Sequence, residues 1–400
     1  MSILAQQMVK DIEDQVIAWR RELHQYPELG MKTIVTEKII VRALKEIGIE
    51  EIITGVGGED CHGVVAIIRG ELPGKCLGIR ADCDALPIKE ETGLPFASKN
   101  EGCMHACGHD GHTAMGLGIA KIIFENRDKL RGTVKMIFQP GEEGEDGAEK
   151  MIRDGVMENP KIDAMISQHS GTSRFQEINP GQIGWTSEPS SFCITGFKAT
   201  FHGKSAHVAE PHLGVDPIMI ACHAVTQMQT ILSREIMPCK PVICAVTMFH
   251  AGEKNNIIPS SCEVEGSIRS NEDEAQQHYY ERMKEIFEGT AKAMRGSAEV
   301  EITHKLATTD NDPEMIRKFL VCAERAIGKE NVIEVKLAIP GGEDFSAFTK
   351  LVPCVYYYHG GNFGDERDFP QHCSKFDLNE ETLWSGVATI TQFAFDWQTV

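Results

Sequence analysis

Apolar runs alternate with helical patterns along much of the chain, and this alternation is typical of an α/β fold. Stretches with helical spacing of apolar residues lie at 112–126 and 145–156. Short, nearly continuous apolar runs predict buried strands at 63–70, 76–82, 133–139, 163–168 and 354–360. We therefore expect a sheet with helices on its faces.

The polar residues that could bind a metal or take part in catalysis cluster where predicted strands end. Asp82 and Asp84 come after the second predicted strand, Glu142 and Glu143 after the third, and His169 after the fourth. In open α/β sheets, ligands bind at the edge formed by the carboxyl ends of the strands. Three strands are therefore predicted to bring carboxylates and an imidazole to one edge of the sheet.

Residues 188–306 have a different order of elements from the rest of the chain. Their pattern predicts strand, helix, strand, strand, helix and strand, with the helices at 216–235 and 272–295. This is the order of the ferredoxin-like fold. We expect a catalytic domain formed by 1–187 and 307–400, with 188–306 inserted into it as a second domain.

Composition limits the class of protein and its partners. The chain has 400 residues, more than one hydrophobic core usually organises, which favours two domains. Its 40 basic and 59 acidic residues give a formal net charge of −19, which argues against nucleic acid and anionic membranes as partners. Its 13 cysteines lack the spacing pattern of a secreted domain, so we expect a reducing, cytoplasmic location.

The N-terminal segment is predicted to belong to the mature fold. Its apolar residues from Leu4 to Leu23 follow helical spacing, which indicates an amphipathic helix rather than a signal peptide. No apolar stretch reaches the roughly 18 residues that a membrane span needs.

The segment MHACGHDGHT, residues 104–113, concentrates groups that bind metals. Cys107 and His109 are separated by one residue, and the Glu142–Glu143 pair, His169 and His372 offer further ligands of the same kinds. Thiolate, imidazole and carboxylate are the ligands of zinc-like ions, and catalytic sites keep one position open for water. The set predicts a metal-dependent hydrolase.

The number of ligands also suggests two ions. A pair of ions about 3.5–4 Å apart shares a bridging ligand, polarises a carbonyl and generates hydroxide. One of two adjacent glutamates can bind a metal while the other moves the proton.

Seven short motifs then point to a family. On these motifs the chain resembles the aminoacylase/carboxypeptidase family of dinuclear metallopeptidases, in particular its amidohydrolase branch with hippurate hydrolase and the indoleacetyl-amino-acid hydrolases. The resemblance implies a zinc-peptidase-like catalytic α/β domain with an inserted ferredoxin-like α+β domain that serves as a lid and in dimerisation. The motifs, in chain order, are RRELHQYPELG, GIRADCDALPI, MHACGHDGHT, QPGEEG, GKSAHVAEPHLGVDPI, NNIIPSSCEVEGSIR and GGEDFSAF.

Matched motif by motif, the resemblance implies a complete ligand set for two divalent ions, which could be Zn, Mn, Co or Ni. Cys107 would bridge the two ions. Glu143 and His372 would complete one ion, and His109 and His169 the other.

The resemblance also implies roles around the metals. Glu142 would be the general base and acid, and Asp84 would orient a ligand imidazole. His207 would stabilise the tetrahedral oxyanion, in this family at the active site of a neighbouring subunit. Three residues would bind the substrate, the first two through its free carboxylate: Asn256, Arg269 and Gly342.

The chain departs from the family pattern at three places. QHSG stands where the histidine is usually followed by an apolar residue and then a proline two positions further on. QPGEEG has Gly141 where alanine is usual, and QHCSKFDLNEETL lacks the usual proline after its histidine. The metal-binding residue types are kept, so we expect these departures to affect which substrate is bound.

The implied reaction removes the acyl group from an N-acyl-L-amino acid, a hippurate-like small molecule, in a homodimer or higher homo-oligomer. The sequence does not determine the identity of the acyl group or of the metal. Hydrolysis of dipeptides by a dipeptidase or carboxypeptidase is one alternative. Another is an amidase with Cys107 as nucleophile, but it leaves the other ligands unexplained. A non-catalytic binding protein on the same fold would have no need of Glu142.

Overall fold

The computed structural model describes residues 5–171, 178–336 and 341–400. The chain divides into two compact units. The large unit has the bounds Met1–Ser190, Asp310–Leu337 and Asp344–Val400, and the small unit has the bounds Ser191–Thr309 and Ala338–Glu343.

The strands of the large unit form one mixed sheet of eight. Their bounds are β1 (Ile52–Val56), β2 (Gly63–Arg69), β3 (Leu72–Asp82), β4 (Arg131–Gln139), β5 (Ala164–Ser170), β6 (Ile183–Trp185), β13 (Val332–Glu334) and β14 (Cys354–His359). Their order across the sheet is β1-β2-β4-β3-β5-β14-β6-β13. The expected α/β fold is confirmed.

Four neighbouring central strands run parallel, so their carboxyl ends meet at one edge. β3 is parallel to β4 and β5, and β14 is parallel to β5. In this register Asp82 lies opposite Gln139, and His169 lies opposite Tyr358. The sequence-based expectation that these strands deliver their polar groups to a common edge is therefore confirmed.

The helices of the large unit pack against this sheet and against each other. Their bounds are α1 (Ala5–Lys10), α2 (Glu13–Gln25), α3 (Ile34–Ile47), α4 (His109–Glu125), α5 (Gly147–Arg153), α8 (Pro313–Ile327), α9 (Ser346–Thr349) and α10 (Leu383–Asp396). α4 is buried over nearly its whole length. A Cβ atom at Gly116 would lie 3.0 Å from the Phe138 ring, and one at Gly118 would lie 2.8 Å from Val16. Glycine at these positions lets α4 lie close to both the sheet and α2.

Three predicted helices have different bounds in the structure. The single N-terminal helix is two helices, because at Ile12 the backbone N–H bonds to Val9, three residues back, and the helical bonding is interrupted. Leu4 lies outside the described residues. α4 begins at His109 instead of 112, and α5 is shorter than 145–156 because Asp146 at its start and Gly155 beyond its end have positive φ.

The small unit has the ferredoxin-like arrangement that the sequence predicts. Its elements are β7 (Cys193–His202), β8 (Ala206–His207), α6 (Pro217–Arg234), β9 (Val242–Ala251), β10 (Ile257–Ile258), β11 (Ser261–Ser270), α7 (Asp273–Ala293) and β12 (Ser297–Leu306). The antiparallel sheet has the order β12-β7-β11-β9. Along β7 buried and half-buried residues alternate, because one face of the sheet packs against α6 and α7. Among the described residues of both units, no helix is long and apolar enough to cross a membrane.

Candidate metal centre

The loop that enters α4 places a thiol and an imidazole on either side of a glycine. Gly108 has a φ of 94°, and a Cβ atom there would lie 3.2 Å from the Ser170 carbonyl oxygen. A left-handed residue next to a close main-chain contact favours glycine. This turn brings the buried side chains of Cys107 and His109 to the carboxyl edge of the sheet.

The two glutamates follow β4 in a second tight turn. Gly141 has a φ of 75°, and a Cβ atom there would lie 2.3 Å from the Met31 sulfur. The departure from alanine at this position thus accompanies close packing by Met31. The backbone N–H of Glu143 donates to the Asp84 carboxylate at 3.1 Å, which ties the turn to the end of β3.

The structure brings all five sequence-predicted ligands together in two trios. The ligand atoms of Cys107, His109 and His169 lie within 4.8 Å of one another, and those of Cys107, Glu143 and His372 do so too. Cys107 Sγ is 3.6 Å from His169 Nε2, and His372 Nε2 is 3.3 Å from a Glu143 carboxylate oxygen. Cys107 belongs to both trios.

The donor atoms fit a bound cation. His109 Nε2 is buried and makes no hydrogen bond within the described part of the chain. Buried polar atoms are usually hydrogen-bonded, so an unpaired nitrogen that lies among other possible ligands indicates a missing partner. A set of thiolate, imidazole and carboxylate suits a zinc-like divalent ion.

Asp84 holds His109 in the orientation that a metal ligand needs. Nδ1 of His109 lies 3.0 Å from the Asp84 carbonyl oxygen and 3.3 Å from its carboxylate. A proton on Nδ1 is donated to the carbonyl oxygen and attracted by the nearby carboxylate, which leaves the Nε2 lone pair available. Burial raises the pKa of the Asp84 carboxyl above its ordinary value, and the contact with His109 partly offsets this rise.

The electrostatics of the site favour an added positive charge. Although burial lowers the pKa of His109, the Asp82 carboxylate and other neighbours raise it well above its ordinary value. Burial and the Glu143 carboxylate raise the pKa of the Cys107 thiol well above its ordinary value. Cys107 and His109 thus hold their protons strongly in these surroundings, and a divalent cation can replace those protons.

The family follows from the similarity of the sequence to known proteins. Residues 78–396 match peptidase family M20/M25/M40. The chain belongs to this family. The resemblance drawn from the seven motifs is confirmed, and this M20 chain is a hydrolase of amide bonds.

Its relatives in the M20 family include peptidases and deacylases. Thermostable carboxypeptidase 1 from Saccharolobus solfataricus is 36% identical over 387 residues, which cover 94% of each chain. N-acetyl-L-cysteine deacetylase from Bacillus subtilis is 36% identical over 372 residues, which cover 93% of this chain and 85% of the relative. A Bacillus subtilis crystal structure described as a dinuclear metal-binding M20 peptidase superposes with a TM-score of 0.81 at 33% identity, covering 98% of this chain and 100% of that chain.

The geometry of this M20 hydrolase disfavours Cys107 as a nucleophile. A nucleophilic cysteine needs a lowered pKa in electropositive surroundings. Burial and the neighbouring Glu143 carboxylate act in the opposite direction on Cys107. A role as a metal ligand is consistent with these surroundings because the cation itself supplies the positive charge.

A buried network lies behind the ligands, and two of its members, His112 and Arg80, were not predicted from the sequence. His112 Nδ1 lies 2.5 Å from Asp82, and its Nε2 accepts the backbone N–H of Ser170 at 2.7 Å. Arg80 donates to the other Asp82 oxygen at 2.6 Å. Asp82, His109 and His112 also form a close trio, but both His112 nitrogens are already engaged within the protein. The i, i+3 spacing of the two histidines on α4 was the available signal.

The remaining predicted residues of the M20 chain lie in the small unit. His207 pairs with Ile257 in the β8–β10 ribbon, and Val208 donates its backbone N–H to the Asn256 carbonyl at 3.1 Å. His207 and Asn256 are therefore neighbours on one exposed ribbon. Arg269 lies on β11 opposite Ile194, and a Cβ atom at Gly342 would lie 2.6 Å from that same Ile194 side chain.

Proposed function

We propose that this M20 hydrolase uses two divalent metal ions to remove the acyl group from an N-acyl-L-amino acid, releasing a carboxylic acid and a free amino acid. The observation that carries the proposal is the position of Cys107 in both ligand trios, from which one thiolate can bridge two ions. The similarity to N-acetyl-L-cysteine deacetylase supports an acylated amino acid as the substrate.

In this proposal the ligands and the proton carrier are different residues. Cys107, His109 and His169 would hold one ion, and Cys107, Glu143 and His372 the other. When bound, the ions polarise the scissile carbonyl and lower the pKa of an attacking water. The chain's own contribution to proton transfer is Glu142, whose carboxylate lies 4.0 Å from His109 Nε2. Glu142 takes the proton of the attacking water and delivers it to the amide nitrogen as the C–N bond breaks.

The small unit is proposed to recognise the substrate. Arg269 and Asn256 would bind the free carboxylate of the amino acid, and Gly342 lies beside Ile194, the residue opposite Arg269. His207 would donate a hydrogen bond to the tetrahedral oxyanion in a neighbouring subunit, so the proposal includes a homodimer or higher homo-oligomer. The proposed location of the enzyme is the cytoplasm.

A second candidate is hydrolysis of peptides from the carboxyl end. It is favoured by the thermostable carboxypeptidase, whose identity of 36% equals that of the deacetylase. Both candidates share the metal centre and the carboxylate-binding residues, so the group on the other side of the amide distinguishes them.

A substrate panel tests the proposal. The protein is reconstituted separately with Zn, Mn, Co and Ni and assayed on N-acetyl and N-benzoyl amino acids, matching dipeptides, and N-acyl-amino acid amides with a blocked carboxylate. We expect the N-acyl-amino acids to be cleaved fastest. The blocked amides lose a charged hydrogen bond of roughly 1.5–3 kcal/mol and are expected to react at least about 10-fold more slowly. Faster cleavage of dipeptides would establish the second candidate, and no cleavage with any metal would reject both.

A further inference from the structure

Gln371 occupies a buried position between the segments that carry two of the proposed ligands. Its side chain is 8% exposed. Its amide nitrogen lies 3.3 Å from the carbonyl oxygens of Cys107 and Ser170 and 3.3 Å from His169 Nδ1. The same nitrogen is 3.8 Å from Cys107 Sγ. One side chain therefore contacts the loop before α4 and the end of β5 at once.

Hydrogen-bonding chemistry fixes which end of this amide faces inward. Carbonyl oxygens only accept hydrogen bonds, so the NH₂ end of Gln371 has to face Cys107 and Ser170. His169 Nδ1 is also 3.1 Å from the Ser170 carbonyl, which accepts a proton carried on Nδ1. Gln371 and His169 are then both donors to this carbonyl, so Gln371 acts on His169 through the shared acceptor and not through a direct hydrogen bond. The Nε2 lone pair of His169 is then directed toward Cys107 Sγ, the geometry required for binding a shared ion.

The backbone next to Gln371 explains why its anchoring matters. His372 has a φ of 62°, a left-handed conformation that is unfavourable for a residue other than glycine. Its backbone N–H donates to the Ala106 carbonyl at 2.8 Å. The main chain of His372 and the side chain of Gln371 thus attach the same loop to the segment that carries Cys107.

We propose that Gln371 is a positioning residue of the metal centre, holding Cys107, His169 and His372 in register through its carboxamide. This inference rests on the proposed dinuclear function. The residue does not contact the reacting atoms, and its effect is exerted through the three ligands.

The test compares Gln371→Met with Gln392→Met in the full-length protein. Methionine keeps the length of the side chain and removes its hydrogen bonds. Gln392 on α10 is a matched control, since it is also buried and uses both ends of its amide. It accepts the backbone N–H of Ala5 on α1 and donates to Asp396 within α10. Both variants and the wild type are titrated with Zn²⁺ and with Co²⁺, whose thiolate charge-transfer absorption reports the Cys107–metal bond.

We expect Gln371→Met to weaken binding of at least one ion by about 10–100-fold, the usual effect of removing a group that orients metal ligands. The Co²⁺ thiolate absorption is expected to shift or weaken, while Gln392→Met retains wild-type affinity and spectrum. Should Gln371→Met fail to fold, Gln371→Asn, one methylene shorter, is expected to give the same loss. Unchanged affinity and spectrum in a folded Gln371 variant would overturn the positioning role alone, whereas a wild type that binds no ion would reject the proposed function.

Discussion

Asp84 contacts His109 through both its carbonyl and its carboxylate oxygen, at 3.0 and 3.3 Å from Nδ1. The same carboxylate accepts the backbone N–H of Glu143. Asp84 therefore aligns one proposed ligand from each trio. We expect Asp84→Ala to reduce metal affinity by about 10–100-fold, measured by competition with a chromophoric chelator. Wild-type affinity in this variant would contradict the orienting role.

Metal content tests whether Cys107 bridges two ions. We expect about two divalent ions per chain, and loss of most of them in Cys107→Ser, because a neutral hydroxyl cannot replace a shared thiolate. Elemental analysis of the purified proteins gives the result. Cys322→Ser, at a buried thiol on α8, is the matched control and is expected to retain both ions. A wild type with a single ion, or with none and full activity, is incompatible with the dinuclear centre.

Substitutions of the two adjacent glutamates are expected to reduce activity for different reasons. Glu142→Gln keeps the ligands but removes the proton carrier, so turnover falls by roughly 10²–10⁴-fold with normal metal content. Glu143→Ala removes a ligand and is expected to lose metal. Parallel metal analysis and steady-state kinetics distinguish the two variants, and identical metal content in both would show that the division of roles is wrong.

His207 provides a test of the small unit. His207→Ala is expected to lower turnover by about 10²-fold or more, the scale for an oxyanion donor, while both metals stay bound. Mixing inactive His207→Ala chains with inactive Glu142→Ala chains is expected to restore part of the activity, because one site in each hybrid keeps both groups. No recovery despite proven subunit exchange would assign His207 to its own subunit or to no site.

The raised pKa of the buried His24 predicts that the stability of the folded protein depends on pH. Although burial lowers the pKa of His24, Asp110 at 2.8 Å and Glu90 raise it to about 9. The folded-state pKa exceeds the unfolded value of about 6.5, so the stabilisation is fully present below pH ~6.5 and is lost as pH rises through ~9. It amounts to at most about 3 kcal/mol.

Thermal unfolding measures this effect. We expect the Tm difference between wild type and His24→Gln to be largest at pH 6 and to shrink by pH 9.5. A difference that stays constant with pH would show that the ion pair with Asp110 does not control the titration of His24.

Parts of the fold can be predicted because burial on both faces leaves a simple pattern. β3, β4 and β5 appear as continuous apolar runs, and the residue types that follow them identify the ligand edge. The pattern does not predict α10, which is buried nearly all around and has no polar face to mark its period. The contacts of His112 and Gln371 depend on segments distant in sequence, so spacing alone cannot reveal them.

The departures from the family pattern also become interpretable only in three dimensions. Ser170, in place of an apolar residue, has its hydroxyl 2.9 Å from His359 Nδ1. Its carbonyl also accepts from Gln371, and Gln371 stands in the segment that lacks the usual proline. Two departures far apart in sequence thus contact each other beside His169.

Gln371 contacts Cys107 across 264 positions of the chain. During synthesis, the segment with His372 emerges long after α4 and the central strands, and domains fold largely in the order of their appearance. The nascent chain therefore carries Cys107 early, but the second ligand trio is complete only after the segment with His372 has emerged. A ribosome-bound or truncated chain that ends before residue 372 lacks one proposed metal ligand and is expected to show no hydrolytic activity, so activity is expected to begin only after His372 has been synthesised.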